Sequence, residues 1–427
     1  MSRFRSRPAP ARAPSGSLVL LLVLAACGGE PAPATDATLY EGARLIVGDG
    51  TVLDNAAFVV EDGRFTLVGQ AGAVDVPAGT PRIDLAGKTV MPALVNAHVH
   101  LPTDRAERAT LLQHMAYYGA GMAVSLGLDD GDLGYVMRDE VVPDGARSLT
   151  AGRGITSPEP GRTEVPYWVT SEEEARAAVR ELATQRPDFV KIWVDDRGGQ
   201  YERLSETLYT AVIDEAHAQG LRVIAHVFSL EDGKGLLRAG IDAFAHGIRD
   251  QDVDDELVAL WQERPNVVLV PNLPDPGVAQ DLSWLSGTVP AAELERMQAN
   301  ATDRPQAQAS FGIQARNLVR LHQAGIPIAF GTDGSSPWAV HQELEDMVRA
   351  GMPAADVLAA ATGGAAALLQ RTDIGVIESG RSADFLVLDG DPTADITVTR
   401  RIDSVYLRGT AVDREALATR LKGAAAQ

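Results

Sequence analysis

Eight times between residues 94 and 334, a short apolar run gives way to a stretch of helical periodicity. The runs are residues 94–100 (LVNAHVH), 123–127 (AVSLG), 147–152 (RSLTAG), 189–195 (FVKIWVD), 222–227 (RVIAHV), 243–247 (AFAHG), 267–273 (VVLVPNL) and 328–334 (IAFGTDG). Short strands alternating with helices argue for parallel βα units. Eight such units predict an α/β chain built on a (β/α)8 TIM-like barrel. An open doubly wound sheet is the competing arrangement, but no G-x-G-x-x-G follows the first strand. Two intervening helices carry their own end signals. Residues 171–185 (SEEEARAAVRELATQ) begin on Ser171 as a cap with acids in the first turn, and residues 205–220 (SETLYTAVIDEAHAQG) close on a glycine.

At 427 residues the chain has room for such a barrel and an accessory domain. Apolar residues at 45% and charged residues at 22% exclude a wholly disordered or fibrous chain. The accessory domain is legible on both sides of the barrel. Residues 37–90 are short alternating runs separated by Gly-Asp-Gly and Asp-Gly, the texture of a small antiparallel β unit. That texture returns in SADFLVLDGD and DSVYLRG. The expected organisation is a barrel over residues 91–372, beside one composite β-sandwich domain formed by residues 37–90 and 373–415.

The 58 acidic residues outnumber the 38 basic ones, for a net charge of −20. A body that acidic is a poor binder of nucleic acid or anionic lipid through bulk charge. The single cysteine, Cys27, excludes an intramolecular disulfide and any multi-cysteine metal site. Arg3, Arg5, Arg7 and Arg12 precede the apolar run Leu18 to Ala25. That run falls well short of the roughly 20 residues a bilayer-spanning helix needs, so residues 1–26 read as an export signal. It ends in Leu24-Ala25-Ala26-Cys27, which resembles a bacterial lipobox. The resemblance implies lipidation of Cys27, with residues 27–36 as a flexible tether. With Gly28 after the cysteine, it further implies sorting to the outer membrane, facing the periplasm or the exterior. A soluble secreted protein with a cysteine beside its cleavage site is the alternative.

Ionisable residues recur at the C-terminal ends of five of the eight strands, the face on which barrel enzymes build active sites. His98 and His100 are two apart, so both point to one face. Val190, Ile192 and Val194 share the face that packs on helices, which turns Lys191 inward with Phe189 and Trp193. His226 shares its face with Ile224, His246 ends the sixth strand and Asp333 ends the eighth. Alone, each has a bland reading, as a satisfied polar residue or a turn former. Together, four inward histidines, a lysine and an aspartate would be very costly to bury without a cation to bind.

These motifs resemble the amidohydrolase superfamily, in particular the branch related to imidazolonepropionase and to prolidase-like metal-dependent dipeptidases. GKTVMPALVNAHVHL resembles the first-strand motif, FVKIWVDD the lysine strand, RVIAHV and FAHG the later histidine strands and IAFGTDG the aspartate strand. The likeness runs from about Thr38 to about Thr410 and is specific for the superfamily, not for a substrate. It implies that His98, His100 and Asp333 bind one divalent ion and that His226 and His246 bind a second. Lys191, as a carbamate formed with carbon dioxide, bridges the two. Zinc suits imidazole and carboxylate ligands, with manganese or iron as alternatives. Two such ions can hold a hydroxide and polarise a carbonyl, with Asp333 as the proton shuttle. The sequence departs from the pattern at Ala93 and Asn96, where glycine and aspartate are common. It departs again at Phe228, where prolidase-like relatives have a tyrosine.

The implied reaction is hydrolysis of an amide bond in a small molecule, an N-acyl amino acid or dipeptide-like compound. Alternatives are a lactone, ester or carbamate hydrolase, a mononuclear deaminase or cyclic amidine hydrolase, and a ligand-binding surface lipoprotein with no activity. Substrate contacts are expected from the loops. Tyr167 lies on the loop after the third strand, Asn272 ends the seventh, and a long stretch with Trp284 follows it as a candidate lid. Trp193 either walls a pocket or packs. Arg249 either meets a substrate carboxylate or pairs with Asp250 or Asp252. His341 opens a helix after Asp333, where it either reaches the site or supports the fold. His114, His217 and His322 fall in helical stretches and read as surface residues. The implied partners are the substrate and, through Cys27, a membrane; a homo-oligomer stays open.

Overall fold

The computed structural model describes residues 37–334 and 336–424; the expected export signal, Cys27 and the expected tether lie outside them. The N-terminal part contributes β1 (Thr38–Ile46), β2 (Val52–Glu61), β3 (Arg64–Gln70), β4 (Arg82–Asp84) and β5 (Thr89–Pro92). The middle contributes β6 (Leu94–Val99), β7 (Ala120–Ser125), β8 (Arg147–Thr150), β9 (Ile155–Thr156), β10 (Tyr167–Trp168), β11 (Val190–Val194), β12 (Val223–Val227), β13 (Ala243–Ala245) and β14 (Val268–Val270). The C-terminal part adds β15 (Phe385–Leu388), β16 (Ile402–Leu407) and β17 (Thr410–Ala411).

The two ends of the chain meet in one eight-stranded sheet of order β17-β16-β15-β5-β1-β2-β3, with β4 beside β1. The seam is β15 against β5, antiparallel, Phe385 opposite Pro92. Alternation along β15 explains why it belongs there. Phe385 and Val387 enter an aromatic core with Tyr40, Phe58 and Phe65, whereas Leu386 and Leu388 join the core of the middle part. Tyr40 stacks on Phe58 at 4.9 Å between centroids, and Phe385 on Tyr406 at 4.4 Å. Phe65 of β3 is four strands away from Phe385 in the sheet, yet their rings are 5.8 Å apart. The sheet therefore curls round these rings until β3 meets the segment that leads into β15. There the Phe65 N–H donates to the Arg381 carbonyl (2.9 Å) and the Ala383 N–H to the Gly63 carbonyl (2.8 Å). The expected sandwich is thus realised as a single curled sheet, because one set of aromatic rings fills both of its inner walls.

In the middle, β6, β7 and β8 form one parallel sheet, and β10-β9-β11-β12-β13-β14 form another. All residues of β6, β7, β11 and β12 are buried, as expected of parallel strands covered on both faces. The Asp188 N–H donates to the Thr150 carbonyl (2.9 Å), tying β8 to the start of β11. The eighth expected run forms no regular strand; only Ile328 bridges Leu269. It is nevertheless extended chain held on both sides. Ala329 donates to the Leu269 carbonyl (2.8 Å), Ala97 donates to the Phe330 carbonyl (2.9 Å), and the Thr332 and Asp333 N–H groups donate to the His98 carbonyl (3.1 and 2.8 Å). Pro327 has no N–H to continue a ladder, and Asp333 leaves the strand conformation at φ 58°. Helices Glu172–Gln185 and Glu206–Ala218 start on Ser171 and Ser205, each hydroxyl accepting from a backbone N–H of the first turn.

Gly331 is where the eighth run passes closest to β6. A Cβ there would sit 2.8 Å from the His98 Cβ, 2.9 Å from the His98 nitrogen and 2.7 Å from Val270 Cγ1. Two of those atoms are backbone or backbone-adjacent and cannot swing away. We expect Gly331→Ala to cost about 1–3 kcal/mol of stability, as overpacking does, measured by urea unfolding. No measurable loss would mean that this contact is slack.

Candidate metal centre

The extended backbone of β6 sends His98 and His100 to one side, their rings 5.4 Å apart. His98 is fully buried. Its Nδ1–H donates to the Asn272 side-chain oxygen (2.8 Å), which leaves Nε2 facing Asp333 Oδ1 at 3.1 Å. His100 Nε2 lies 3.2 Å from that same oxygen, and His246 Nε2 lies 3.5 Å from Asp333 Oδ2. The His226 ring adjoins His246 at 4.6 Å, and its Nε2–H donates to Asp195 (3.1 Å) beside Arg197 (3.2 Å). Lys191 is fully buried, its Nζ 5.4 Å from the Trp193 ring centroid. The ligand atoms of His98, His246 and Asp333 all lie within 4.8 Å of one another.

Backbone geometry at the strand ends does much of this positioning. His246, Asn272 and Asp333 sit at φ 80°, 42° and 58°, a left-handed conformation costing roughly 1–3 kcal/mol at a non-glycine residue. Each turns its chain sharply at the end of its run, where the site is built. Asn96, two residues before His98, joins β6 to the eighth run. Its Nδ2 donates to Thr332 Oγ1 (2.9 Å) and its Oδ1 accepts from the Thr332 N–H (3.1 Å). Gly127 leaves room for the lysine, since a Cβ there would lie 2.7 Å from Lys191 Cγ.

Burial sets the protonation states. It lowers His98 to about 4 and His226 to about 3, and holds His246 well below the ordinary histidine value. All three are therefore neutral at pH 7, the form in which imidazole ligates a metal. Burial also pulls the Lys191 ammonium down to about 7. Burial alone would raise Asp333, but His98, His100 and His246 around it hold it well below the carboxylate range. Whether a cation fits can be tested on the polar atoms themselves. Nε2 of His98, Nδ1 of His100, Nε2 of His246 and Nζ of Lys191 are buried and make no hydrogen bond of acceptable geometry. Buried orphan donors and acceptors each cost about 1–3 kcal/mol, and the two of His98 and His246, grouped with the Asp333 carboxylate, fit a bound cation. The donor set of imidazole nitrogens and one carboxylate suits a borderline divalent ion.

A cavity of about 270 Å³ opens on His100, His226 and Asp333, with Trp193, Arg162 and Arg197 in its wall. Larger cavities of about 630 and 480 Å³ exist, but neither is lined by the histidines of this set. Convergent chemistry, not size, identifies the site. Other sequence candidates fall differently. Trp193 is a wall residue, and Asn272 orients His98. Tyr167 is turned away: its hydroxyl donates to Glu181 (2.8 Å) and Arg153 stacks on its ring (3.9 Å), because β10 aligns it with the helix that follows. His341 is also not brought to the set. It lies on the buried face of helix Ala339–Ala350, near Thr399 Oγ1 (3.1 Å), with Tyr118 and Trp284 against its ring. Arg249 lies over the Phe228 ring. Sequence reasoning missed Asp195, Arg197 and Glu159. Glu159 is almost fully buried and accepts from Arg197 (2.9 Å) and Arg162 (2.6 Å). The only available signal was the acidic pair ending FVKIWVDD.

Comparison with known proteins agrees with this arrangement. The amidohydrolase family profile matches residues 144–412. An uncharacterised protein of Mycobacterium tuberculosis is 30% identical over 376 residues, covering 82% of this chain and 90% of its own. Imidazolonepropionase of Deinococcus radiodurans is 29% identical over 395 residues, covering 85% and 93%. Among solved structures, a putative prolidase from Bifidobacterium longum superposes with a TM-score of 0.73 at 28% identity, covering 92% of this chain and 100% of that one. A chain whose family profile spans most of its length, and whose strand ends carry this histidine–aspartate set, belongs to the amidohydrolase family and is a hydrolase acting on carbon–nitrogen bonds.

Proposed function

We propose that the protein hydrolyses the amide bond of a small molecule, an N-acyl amino acid or dipeptide-like compound. In this reading the ring of strands is a (β/α)8 barrel with a two-ion centre at its mouth. The observation that carries it is that buried nitrogens of His98 and His246, grouped with the Asp333 carboxylate, and the buried Nζ of Lys191 make no hydrogen bond. The likeness to a putative prolidase supports it. Family membership sets aside a purely ligand-binding lipoprotein.

His98, His100 and Asp333 would hold one divalent ion, and His226 and His246 the other, with zinc the best match to the donors. When bound, the ions supply a Lewis acid for the scissile carbonyl and make the attacking water more acidic. The chain's own groups do the rest. Lys191, brought near 7 by burial, is partly neutral at pH 7. The neutral amine is the form that adds to carbon dioxide, forming an N–C bond and releasing one proton, and the carbamate so formed would supply anionic oxygen ligands. Asp195 accepts the Nε2–H of His226, which fixes that ring and leaves Nδ1 for the metal. Asp333 is more open than its partners, its side chain 39% exposed against 1% for His98. It can take the proton of the attacking water and deliver it to the leaving nitrogen. The same groups serve an ester, lactone or carbamate, so a panel of anilides, dipeptides, lactones and carbamates decides the bond.

A second reading is a single-ion deaminase or cyclic amidine hydrolase. It is favoured by the compact trio His98, His246 and Asp333 and by the likeness to imidazolonepropionase. Two measurements separate the readings. Purified protein should carry about two transition ions per chain by mass spectrometry, regained with zinc and bicarbonate after chelation; one ion or none at full activity goes against the first reading. Lys191→Ala should lower turnover by on the order of 100-fold or more if the lysine bridges two ions, an effect comparable to losing other metal-supporting groups. Near-normal turnover favours the single ion.

We also infer that the mature protein is held at the outer membrane by lipid on Cys27. The basic residues, short apolar run and lipobox-like LAAC support this. Cys27→Ser should move the protein from the membrane fraction to the soluble one; unchanged fractionation would argue against the anchor.

A further inference from the structure

Resting on the amide-hydrolase reading above, we propose that Arg249 selects the substrate by binding a carboxylate on the amine side of the scissile bond. The preferred substrates are then N-acyl amino acids and dipeptides with a free α-carboxylate, not neutral amides.

The sequence leaves Arg249 a choice between an ion pair with its acidic neighbours and an external anion. The structure closes the first route. Asp250 Oδ1 accepts the Leu230 N–H (3.0 Å), and Asp252 Oδ1 takes Nε and a terminal nitrogen of Arg316 (3.0 and 2.6 Å). Among the described arginines that are not exposed, Arg249 alone makes neither a salt bridge nor a side-chain hydrogen bond. Others in similar half-buried positions have found carbonyls, as Arg222 does with Leu368, Arg264 with Arg238 and Arg414 with Tyr117. A partly desolvated guanidinium with its donors unspent is set to receive a ligand.

Its position says which ligand. The guanidinium carbon lies 3.1 Å from the Phe228 ring centroid, and the Arg249 N–H donates to the Phe228 carbonyl (2.9 Å). Ring and cation are thus fixed together. Phe228 in turn packs on His226 (4.3 Å) and His246 (5.1 Å). The cation therefore stands one aromatic layer from two histidines of the centre. Stacking covers a face of the guanidinium and leaves its edge, the forked donor set that matches a carboxylate with two parallel bonds. Burial lowers Arg249 only to about 10, so it stays charged at neutral pH. The nearby acids are otherwise engaged, Asp195 by Arg197 and His226, Asp333 by the histidines. An α-carboxylate carbon lies about 2.5 Å beyond the amide nitrogen, which keeps the anion close to the reacting bond. On a chain of net charge −20, an anionic substrate also needs such a local cation.

The test uses two matched pairs on the zinc-loaded enzyme: N-acetyl-L-leucine with N-acetyl-L-leucinamide, and Ala-Leu with Ala-Leu-amide. Wild type should favour each carboxylate over its carboxamide in kcat/KM by about 10- to 100-fold, the worth of a charge-assisted bidentate contact. Arg249→Met should bring that ratio toward one, and Arg249→Lys should leave it between the two. Metal content and thermal melting of the variants check that they are folded. Calorimetric binding of N-acetyl-L-leucine and its amide to wild type and Arg249→Met gives the same comparison without turnover. Equal binding of acid and amide by wild type, or an equal loss of both in the variant, overturns the role of Arg249. Selective binding of the acid that is lost in the variant supports it even if neither amide is cleaved, an outcome that would count against the amide-hydrolase reading alone.

Discussion

Lys191 is a cationic side chain carried by a strand with no exposed surface, and its amine finds no hydrogen-bond partner. Burying such a group is tolerable only if its charge is lost or compensated. The architecture around it is consistent with both. Burial brings the amine near 7, Trp193 flanks it, and the glycine at 127 makes room for its stem. The imidazoles of His98, His226 and His246 are neutral for the same reason, so the site accumulates unsatisfied lone pairs instead of repelling charges. A cation bound by His98, His246 and Asp333 would satisfy the orphan nitrogens of both rings, which ties the proposed chemistry to the stability of this region.

The second requirement is direction. Parallel strands covered on both faces offer little freedom along their length, so the functional groups cluster where strands end. Left-handed backbone at His246, Asn272 and Asp333 turns the chain at those ends. The strain is held by contacts from elsewhere: Asn96 joins β6 to the eighth run, and the Thr332 and Asp333 N–H groups both bond to the His98 carbonyl. The curled β sheet at the chain ends adds its own apolar face to the same core through Leu386, Leu388 and Val405. The accessory domain is therefore packed into the scaffold and does not hang from it.

Much of this was legible before the structure. Alternation within FVKIWVD turns Lys191 and Trp193 to one side, and Trp193 does line the site cavity. The spacing of His98 and His100 required a shared face, and both stand beside Asp333. The β texture at both chain ends anticipated the β5–β15 seam. The misses have a common cause. Tyr167 and His341 occupy segments whose orientation is set by the neighbour they pack on, Glu181 and Arg153 for one, Tyr118 and Trp284 for the other. No local period encodes that. Glu159, Asp195 and Arg197 matter through one another, and only Asp195 adjoins a readable strand.

Periodicity and strand-end chemistry specified which residues face inward and that a cation was to be expected among them, because a strand's alternation is a property of its own backbone; hydrolysis was implied by the likeness of those motifs to a family. Folding alone decided which of those inward groups meet. His98 and Asp333 are more than two hundred residues apart in sequence, and their approach depends on how closely Gly331 lets two chain segments pass. The fate of Arg249 was settled at that same level. Its neighbours in sequence were drawn to Leu230 and Arg316, leaving its donors over a phenyl ring beside the histidines.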